Sequence, residues 1–445
     1  MNEDYKVDPS SIKLVFLKKS YYYTSMSFLR TLLMFVFLFS LMGDGVSYAG
    51  KILNCSNCGD GKAVNYGKSI NIPEKARPND ATISSYQIRR NNWLRGKSIW
   101  GKLYVVEPKG NAVDFRYEPN KKSLILEKEL SEGYILSYLF YENGMIKYNG
   151  KAKDGRFDDN INDETRFFTH STGKSIVSYI VGHAICEGYI SSIDEIIDWP
   201  MMSKTLYQGQ RLRDLLNMRA GDQHIVYKNS SYIKGSDSHH RHMDLEQIAV
   251  FLKGTKKRGN AVFYNNFLSD VIANYIAFKS GDNYDELMRS IFQDKVKIKY
   301  SISYEKHPTL IDKPHSTQAS YSYQMTRTDF LRVAVAMMKD YQNQTCVGKY
   351  LKKIQEQALS WYKYGPYKKN GRIYFSRSSK KYGGQFYFDF NGMSNRNVFG
   401  TNGYNNQNML IDMDNSRIIV TNSAATGWDL NVLMFNPIRD GVLPK

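Results

Sequence analysis

A serine hydroxyl is a weak nucleophile until a base takes its proton, and a lysine can be that base where its surroundings favour the neutral amine. Ser171 stands three residues before Lys174 in the stretch Phe168 to Pro200, FTHSTGKSIVSYIVGHAICEGYISSIDEIIDWP. On a helix that spacing puts both side chains on one face, and a serine in the first turn meets the positive end of the helix dipole. The pattern SxxK by itself says little, since it recurs at Ser10/Lys13, Ser231/Lys234, Ser303/Lys306, Ser360/Lys363 and Ser378/Lys381. None of those opens an apolar helix, and Ser360/Lys363 runs straight into Gly365-Pro366. After Ser171, by contrast, Ile176, Val177, Ile180, Val181, Ala184 and Ile185 recur at helical spacing, and the helix is apolar almost all round. Such a helix is buried, and desolvation disfavours a charged lysine. On local pattern alone a Ser or Thr helix cap followed by a solvated lysine is the favoured reading, so the rest of the chain has to decide.

The elements that must position the pair are legible on both sides of it. From Gly133, YILSYLFYENGMIKYNG holds two β-rich runs around Glu142-Asn143-Gly144, a hairpin signal. A second hairpin follows much later, with Asn408 to Met413 and Arg417 to Thr421 flanking Asp414-Asn415-Ser416. Between them the chain is mainly helical, with helical patterns at Asp194 to Ile197, Leu212 to Met218, Leu245 to Leu252, Asn266 to Lys279, Tyr284 to Phe292 and Thr326 to Lys339. Strands at both ends of a helical middle predict an α/β class of α+β character: an antiparallel sheet completed by the N- and C-terminal parts of the domain, flanked by helices, with a helical lobe. The predicted catalytic domain is residues 131–445, preceded by an accessory segment, residues 50–130, with Pro73, Pro78 and a short strand-like run from Lys102 to Val106.

After the first helix come EGYISSIDEIIDWP, RLRDLLNMRAGD at residues 211–222, and VFYNNFLSDVIANYIAFKSGDNYDELM at residues 262–288. With Ser171 and Lys174 at its head, this order resembles the serine β-lactamase and penicillin-binding protein superfamily, and within it the class C-like esterases and 6-aminohexanoate-dimer hydrolases. The resemblance covers roughly residues 130–425. It implies a β-lactamase/transpeptidase-like fold, Ser171 as the acylated nucleophile and Lys174 as its proton acceptor. The family's Tyr-x-Asn motif matches Tyr264-Asn265-Asn266. Tyr264 would then share the proton transfers and protonate the leaving group, and Asn266 would bond the substrate or Lys174. On the residues alone, Tyr264 and Asn266 sit at a turn entering an apolar helix, which suits a cleft and also suits an ordinary helix N-cap.

The third motif departs from the pattern. Where the family has Lys-Thr-Gly or His-x-Gly, this chain has Thr401-Asn402-Gly403 in FGTNGYNNQNMLIDMD. Gly403 would let the strand approach a substrate, and Tyr404 would give the second backbone N–H of an oxyanion hole, Ser171 giving the first. Thr401 in place of a cation removes the partner of a substrate carboxylate and favours a neutral ester, amide or peptide over β-lactam or D-Ala-D-Ala substrates. Tyr227 resembles a substrate-contacting tyrosine of the 6-aminohexanoate-dimer hydrolases.

The predicted function is therefore a cofactor-free serine hydrolase acting on a small-molecule ester, amide or peptide. The alternatives are a D-Ala-D-Ala carboxypeptidase or β-lactamase, which keeps the mechanism, and a non-catalytic penicillin-binding-protein-like module. No GxSxG elbow points to a Ser-His-Asp triad. His224, His239, His240 and His242 make a His-rich tract without helical HxxxH spacing, which reads as a polar loop, so no metal is expected. The formal charge of +18 is dispersed over 445 residues without a nucleic-acid-binding motif, and GDGK at residues 59–62 lacks the other residues of a phosphate loop, so no nucleic-acid partner is expected.

Leu32 to Met42, LLMFVFLFSLM, follows Arg30 and precedes Ser47-Tyr48-Ala49, which is signal-peptide anatomy for residues 1–49, with Met26 as an alternative start. Export to the periplasm or medium is expected, with an uncleaved membrane anchor as the alternative. The cysteines fit an exported protein that does not depend on a disulfide framework. Cys55 and Cys58 could form a tight local disulfide or half of a zinc site that no second CxxC completes, Cys186 reads as a small buried apolar residue, and Cys346 stands alone in a polar stretch.

Overall fold

The computed structural model describes residues 103–119, 122–152, 161–222, 249–250, 252–305, 322–361, 374–423 and 426–445, with the backbone of a short hairpin at 62–65 and 68–71. All lie in one compact unit, Cys55–Lys445.

The first expected hairpin forms as β1 (Ile135–Glu142) and β2 (Met145–Lys151). Asn143 and Gly144 take φ angles of 48° and 88°, the left-handed pair that a two-residue type I′ turn requires. The second hairpin is the last pair of β3 (Val398–Gly403), β4 (Gln407–Asp412) and β5 (Arg417–Ser423). Strand β5 pairs antiparallel with β1, from Arg417 opposite Glu142 to Thr421 opposite Tyr138, so the two ends of the domain close one sheet. Nine strands run in the order Leu359–Ser360, Ser379–Gly383, Phe386–Phe390, β3, β4, β5, β1, β2 and Arg116–Tyr117, the last pair parallel and the rest antiparallel. A second sheet of four antiparallel strands orders Leu103–Val106, Ile302–Glu305, Gln324–Thr326 and Arg166–Phe168. Both sheets thus draw on residues from 103 onward.

Four helices matter for the site: α1 (Thr172–Cys186), α2 (Phe267–Ser280), α3 (Arg327–Gln342) and α4 (Cys346–Glu356). Helix α1 is the core of the molecule, with every residue from Thr172 to Ala184 buried. Its small and hydroxylated positions explain how it can be covered on all sides. Ser175 Oγ donates to Gln385 O at 2.6 Å and Ser178 Oγ lies 2.7 Å from Tyr350 Oη, so buried hydroxyls are satisfied. At Gly182 a Cβ would come within 2.7 Å of the Tyr350 ring, so α4 packs directly on its backbone.

Two expectations are corrected. Asp194 to Ile197 is no helix but a turn ending in an isolated bridge between Ile196 and Arg211. Ser192 Oγ accepts the Asp194 N–H at 3.1 Å and Glu195 Oε2 accepts the Ser191 N–H at 2.6 Å, local bonds that compete with helix formation. Cys186 and Cys346 are not two unrelated thiols: they form a disulfide, with Cα atoms 5.8 Å apart, joining the end of α1 to the start of α4. A sequence separation of 160 residues hides that proximity.

Candidate active site

The strand Arg166–Phe168 delivers the chain to the start of α1, where the Thr169 N–H donates to Tyr323 O at 2.8 Å. His170 then takes a φ of 47°, unusual for a residue with a side chain, and turns the backbone into the helix. Ser171 occupies the cap position, but its side chain makes no capping hydrogen bond. Its Oγ lies 3.0 Å from Lys174 Nζ. Lys174 is 1% exposed, the burial expected from an all-round apolar helix. Its Nζ also donates to Asn266 Oδ1 and stands 5.0 Å from the centre of the Tyr264 ring. Tyr264 in turn packs edge to face against Trp361 and Tyr382. The structure therefore brings Ser171, Lys174, Tyr264 and Asn266 together from two helix starts about ninety residues apart in sequence.

Asn266 holds the cap position of α2 without capping it. Asn265 does that instead, its Oδ1 accepting the Leu268 N–H at 3.0 Å. One asparagine caps the helix and the other accepts from Lys174.

The Thr401–Tyr404 segment is the end of β3 and the turn after it. Thr401 is fully buried, its Oγ1 accepting the Met409 N–H at 2.9 Å and lying 3.2 Å from Thr172 Oγ1. Thr172 Oγ1 gives its own proton to Gln407 O at 2.5 Å, so in the Thr401–Thr172 contact Thr401 is the donor. The donated bond thus ties β3 to the first residue of α1, and the accepted one ties β3 to β4. Asn402 Nδ2 donates to Asn408 Oδ1 at 2.7 Å. At Gly403 a Cβ would lie 2.2 Å from Thr169 O, so only glycine lets β3 run this close to the approach to Ser171. Tyr404 is 60% exposed, with its ring 5.5 Å from that of His170 in an edge contact. Among the described residues neither the Ser171 N–H nor the Tyr404 N–H is taken by a hydrogen bond.

Two site features carried no sequence signal: the strained His170, whose φ no residue type announces, and Asp222, buried beneath the Tyr264 segment. Asp222 is pushed up to about 6 by burial, partly offset by hydrogen bonds from Tyr207 and Asn265. Tyr227, His224, His239, His240, His242, Cys55, Cys58 and the 1–49 segment lie outside the described residues. Among the described residues no group of three or more His, Cys, Asp or Glu side chains could hold a metal ion, and no helix is long and apolar enough to cross a membrane.

This fold is that of the serine β-lactamase and penicillin-binding-protein-like proteins: a mainly antiparallel sheet closed by both ends of the domain, with the SxxK helix buried behind it. The chain is similar to a Bacillus anthracis protein provisionally assigned as a 6-aminohexanoate-dimer hydrolase, at a TM-score of 0.58 and 16% identity over 78% of this chain and 93% of that one. It is also similar to a D-stereospecific amidohydrolase from Streptomyces, with a TM-score of 0.48 and 11% identity over 72% of this chain and 100% of that one. No family model matches the chain, and no curated protein matches it in sequence.

Proposed function

We propose that this protein is an exported serine hydrolase that cleaves a neutral ester or amide through an acyl-enzyme on Ser171. The observation that carries the proposal is the 3.0 Å contact between Ser171 Oγ and a Lys174 amine that is buried and tied to Asn266. A neutral Lys174 that gives one N–H to Asn266 Oδ1 would turn its lone pair toward the serine hydroxyl. Ser171 Oγ attacks the substrate carbonyl carbon, its proton passes to Lys174, and the carbonyl oxygen becomes an oxyanion held by the Ser171 and Tyr404 N–H groups. Collapse breaks the bond to the alcohol or amine, which leaves with a proton relayed from Lys174 through Tyr264. Water then attacks the acyl carbon as Lys174 takes its proton, and collapse breaks the bond to Ser171 Oγ, which receives that proton from Lys174 as the acid departs.

Similarity in fold to hydrolases supports the general class. The inward commitment of Thr401 supports a substrate without a carboxylate to anchor. The Cys186–Cys346 disulfide supports an oxidising destination, as the N-terminal signal anatomy does. The test is intact mass after exposure to a fluorophosphonate, together with turnover of a panel of short-chain esters, amides and D-amino-acid peptides. One adduct on Ser171, absent from Ser171→Ala, is expected. No adduct and no turnover would falsify the hydrolase reading, and efficient acylation by penicillin would move the substrate class to β-lactams.

A further inference from the structure

Asp222 is 0% exposed, yet nothing in the mechanism uses it. Its Oδ2 accepts from Tyr207 Oη at 3.0 Å and from Asn265 Nδ2 at 3.2 Å, and its Oδ1 is buried without a hydrogen-bond partner among the described residues. Asn265 is the middle residue of Tyr264-Asn265-Asn266. The same Asn265 caps α2 through Leu268 and donates to Phe263 O at 3.3 Å. A second tether reaches this segment from the Asp222 loop, the Phe263 N–H donating to Met218 O at 2.7 Å. Tyr264 is thus bracketed: its predecessor is held by Met218 and its successor by Asp222.

We infer that Asp222 is a positioning residue of the active site, whose carboxylate grips the Asn265 amide and so fixes the backbone that presents Tyr264 and Asn266 to Lys174. The inference rests on the reading of Ser171 as nucleophile. A carboxylate is the stronger acceptor when ionised, so protonation of Asp222 loosens the grip on Asn265. Titratable and charged groups beside it include the Tyr207 phenol and, on the run that passes Gly221, Lys257 and Arg258. Lys257 Nζ stands 3.8 Å from Asp214, and the Arg258 N–H donates to Gly221 O at 3.0 Å. Burial holds the Asp222 carboxyl near 6, and the Tyr207 hydroxyl is the first of the bonds that oppose this.

The experiment follows the second-order rate of fluorophosphonate labelling from pH 5 to 8 in the full protein and in Asp222→Asn, Asp222→Ala and Tyr207→Phe. Misplacing reacting groups by an ångström costs about a hundredfold, so Asp222→Ala is expected to label roughly ten- to a hundredfold more slowly at pH 7.5. The amide of Asp222→Asn keeps an oxygen toward Asn265 but no charge, so it should lose the acid limb that Asp222 contributes and label throughout at the slower acid-side rate. Tyr207→Phe removes a donor that favours the carboxylate, so its acid limb should move to higher pH, a shift that loss of packing does not produce. Labelling by Asp222→Ala or Asp222→Asn at the wild-type rate across this range, or an unmoved limb in Tyr207→Phe, overturns the inference. If the unaltered protein does not label, the hydrolase reading falls, and hydrogen exchange in the peptide spanning residues 264–268 decides the positioning role. Faster exchange in Asp222→Ala than in Asp222→Asn supports it, and wild-type exchange in both sinks it.

Discussion

Asn265 and Asn266 are neighbours of one type with separate partners, and that division is testable at the level of single atoms. Asn266 Oδ1 receives Lys174 Nζ and makes no helix cap, so Asn266→Ala should lower kcat while leaving the urea midpoint close to that of the parent. Removing the base itself, in Lys174→Ala, should lower kcat by about a hundred- to ten-thousandfold, the range of general acid–base effects. Thr401 presents the opposite case. Its hydroxyl answers the Met409 N–H and reaches Thr172, so Thr401→Val removes two buried hydrogen bonds and should cost about 1–3 kcal/mol in urea unfolding. Because both capacities of the hydroxyl are spent inside the fold, KM for a neutral ester should not change. A large rise in KM with unaltered stability would return Thr401 to substrate contact. The sequence brought Thr401 to notice by its place in a motif. Which way its side chain is committed depends on Met409 and Thr172, and no spacing along the chain encodes them.

What was legible at the scale of elements followed from local rules. Asn143-Gly144 announces a type I′ turn because both residues take positive φ, and the apolar positions of α1 announce a buried helix. What was hidden is long-range. The partner of Cys186 lies 160 residues on, and the strands Ser379–Gly383 and Phe386–Phe390, whose pairing extends the sheet beyond β3, come from a stretch with no hairpin signal as plain as Asn-Gly. The disulfide fastens the far end of the helix whose near end carries Ser171. Closing so long a loop restricts the unfolded chain, and removing such a bridge typically costs about 2–5 kcal/mol. Cys186→Ser with Cys346→Ser should therefore lower the melting temperature in non-reducing buffer, and a reductant should bring the parent down to the level of the double variant without affecting the variant. Equal melting of parent and variant in both buffers would mean that packing, such as Tyr350 against Gly182, already holds α4 on α1 without the bridge.

At the scale of the whole fold, two buried groups, among the described residues, push the response of folding to acid in opposite directions. His183 lies in α1 with its ring 4.7 Å from Tyr179 and its Nε2 buried without a hydrogen-bond partner among the described residues, and burial lowers it to about 4. Its folded value is below the unfolded one near 6.5, so the unfolded chain binds the extra proton and stability is lost as pH falls from about 6.5 toward 4. Asp222 has a folded value near 6, above its model-peptide value of 3.8, so here the folded chain binds the extra proton and stability is gained as pH falls through 6. Between pH 7 and 4.5 each effect amounts to about 2–3 kcal/mol, and the two nearly cancel. Stopping at pH 4.5 leaves out most of the loss from Asp163 and Glu195, whose carboxyls are held low by their partners. Single variants should expose the balance. On acidification, His183→Gln should gain stability relative to the parent by about 2–3 kcal/mol, and Asp222→Asn should lose a similar amount. Urea midpoints at the two pH values measure both differences. Parallel behaviour of parent and variants would mean that water reaches these sites and restores ordinary titration, a result that for Asp222 would also remove the acid limb inferred for the active site.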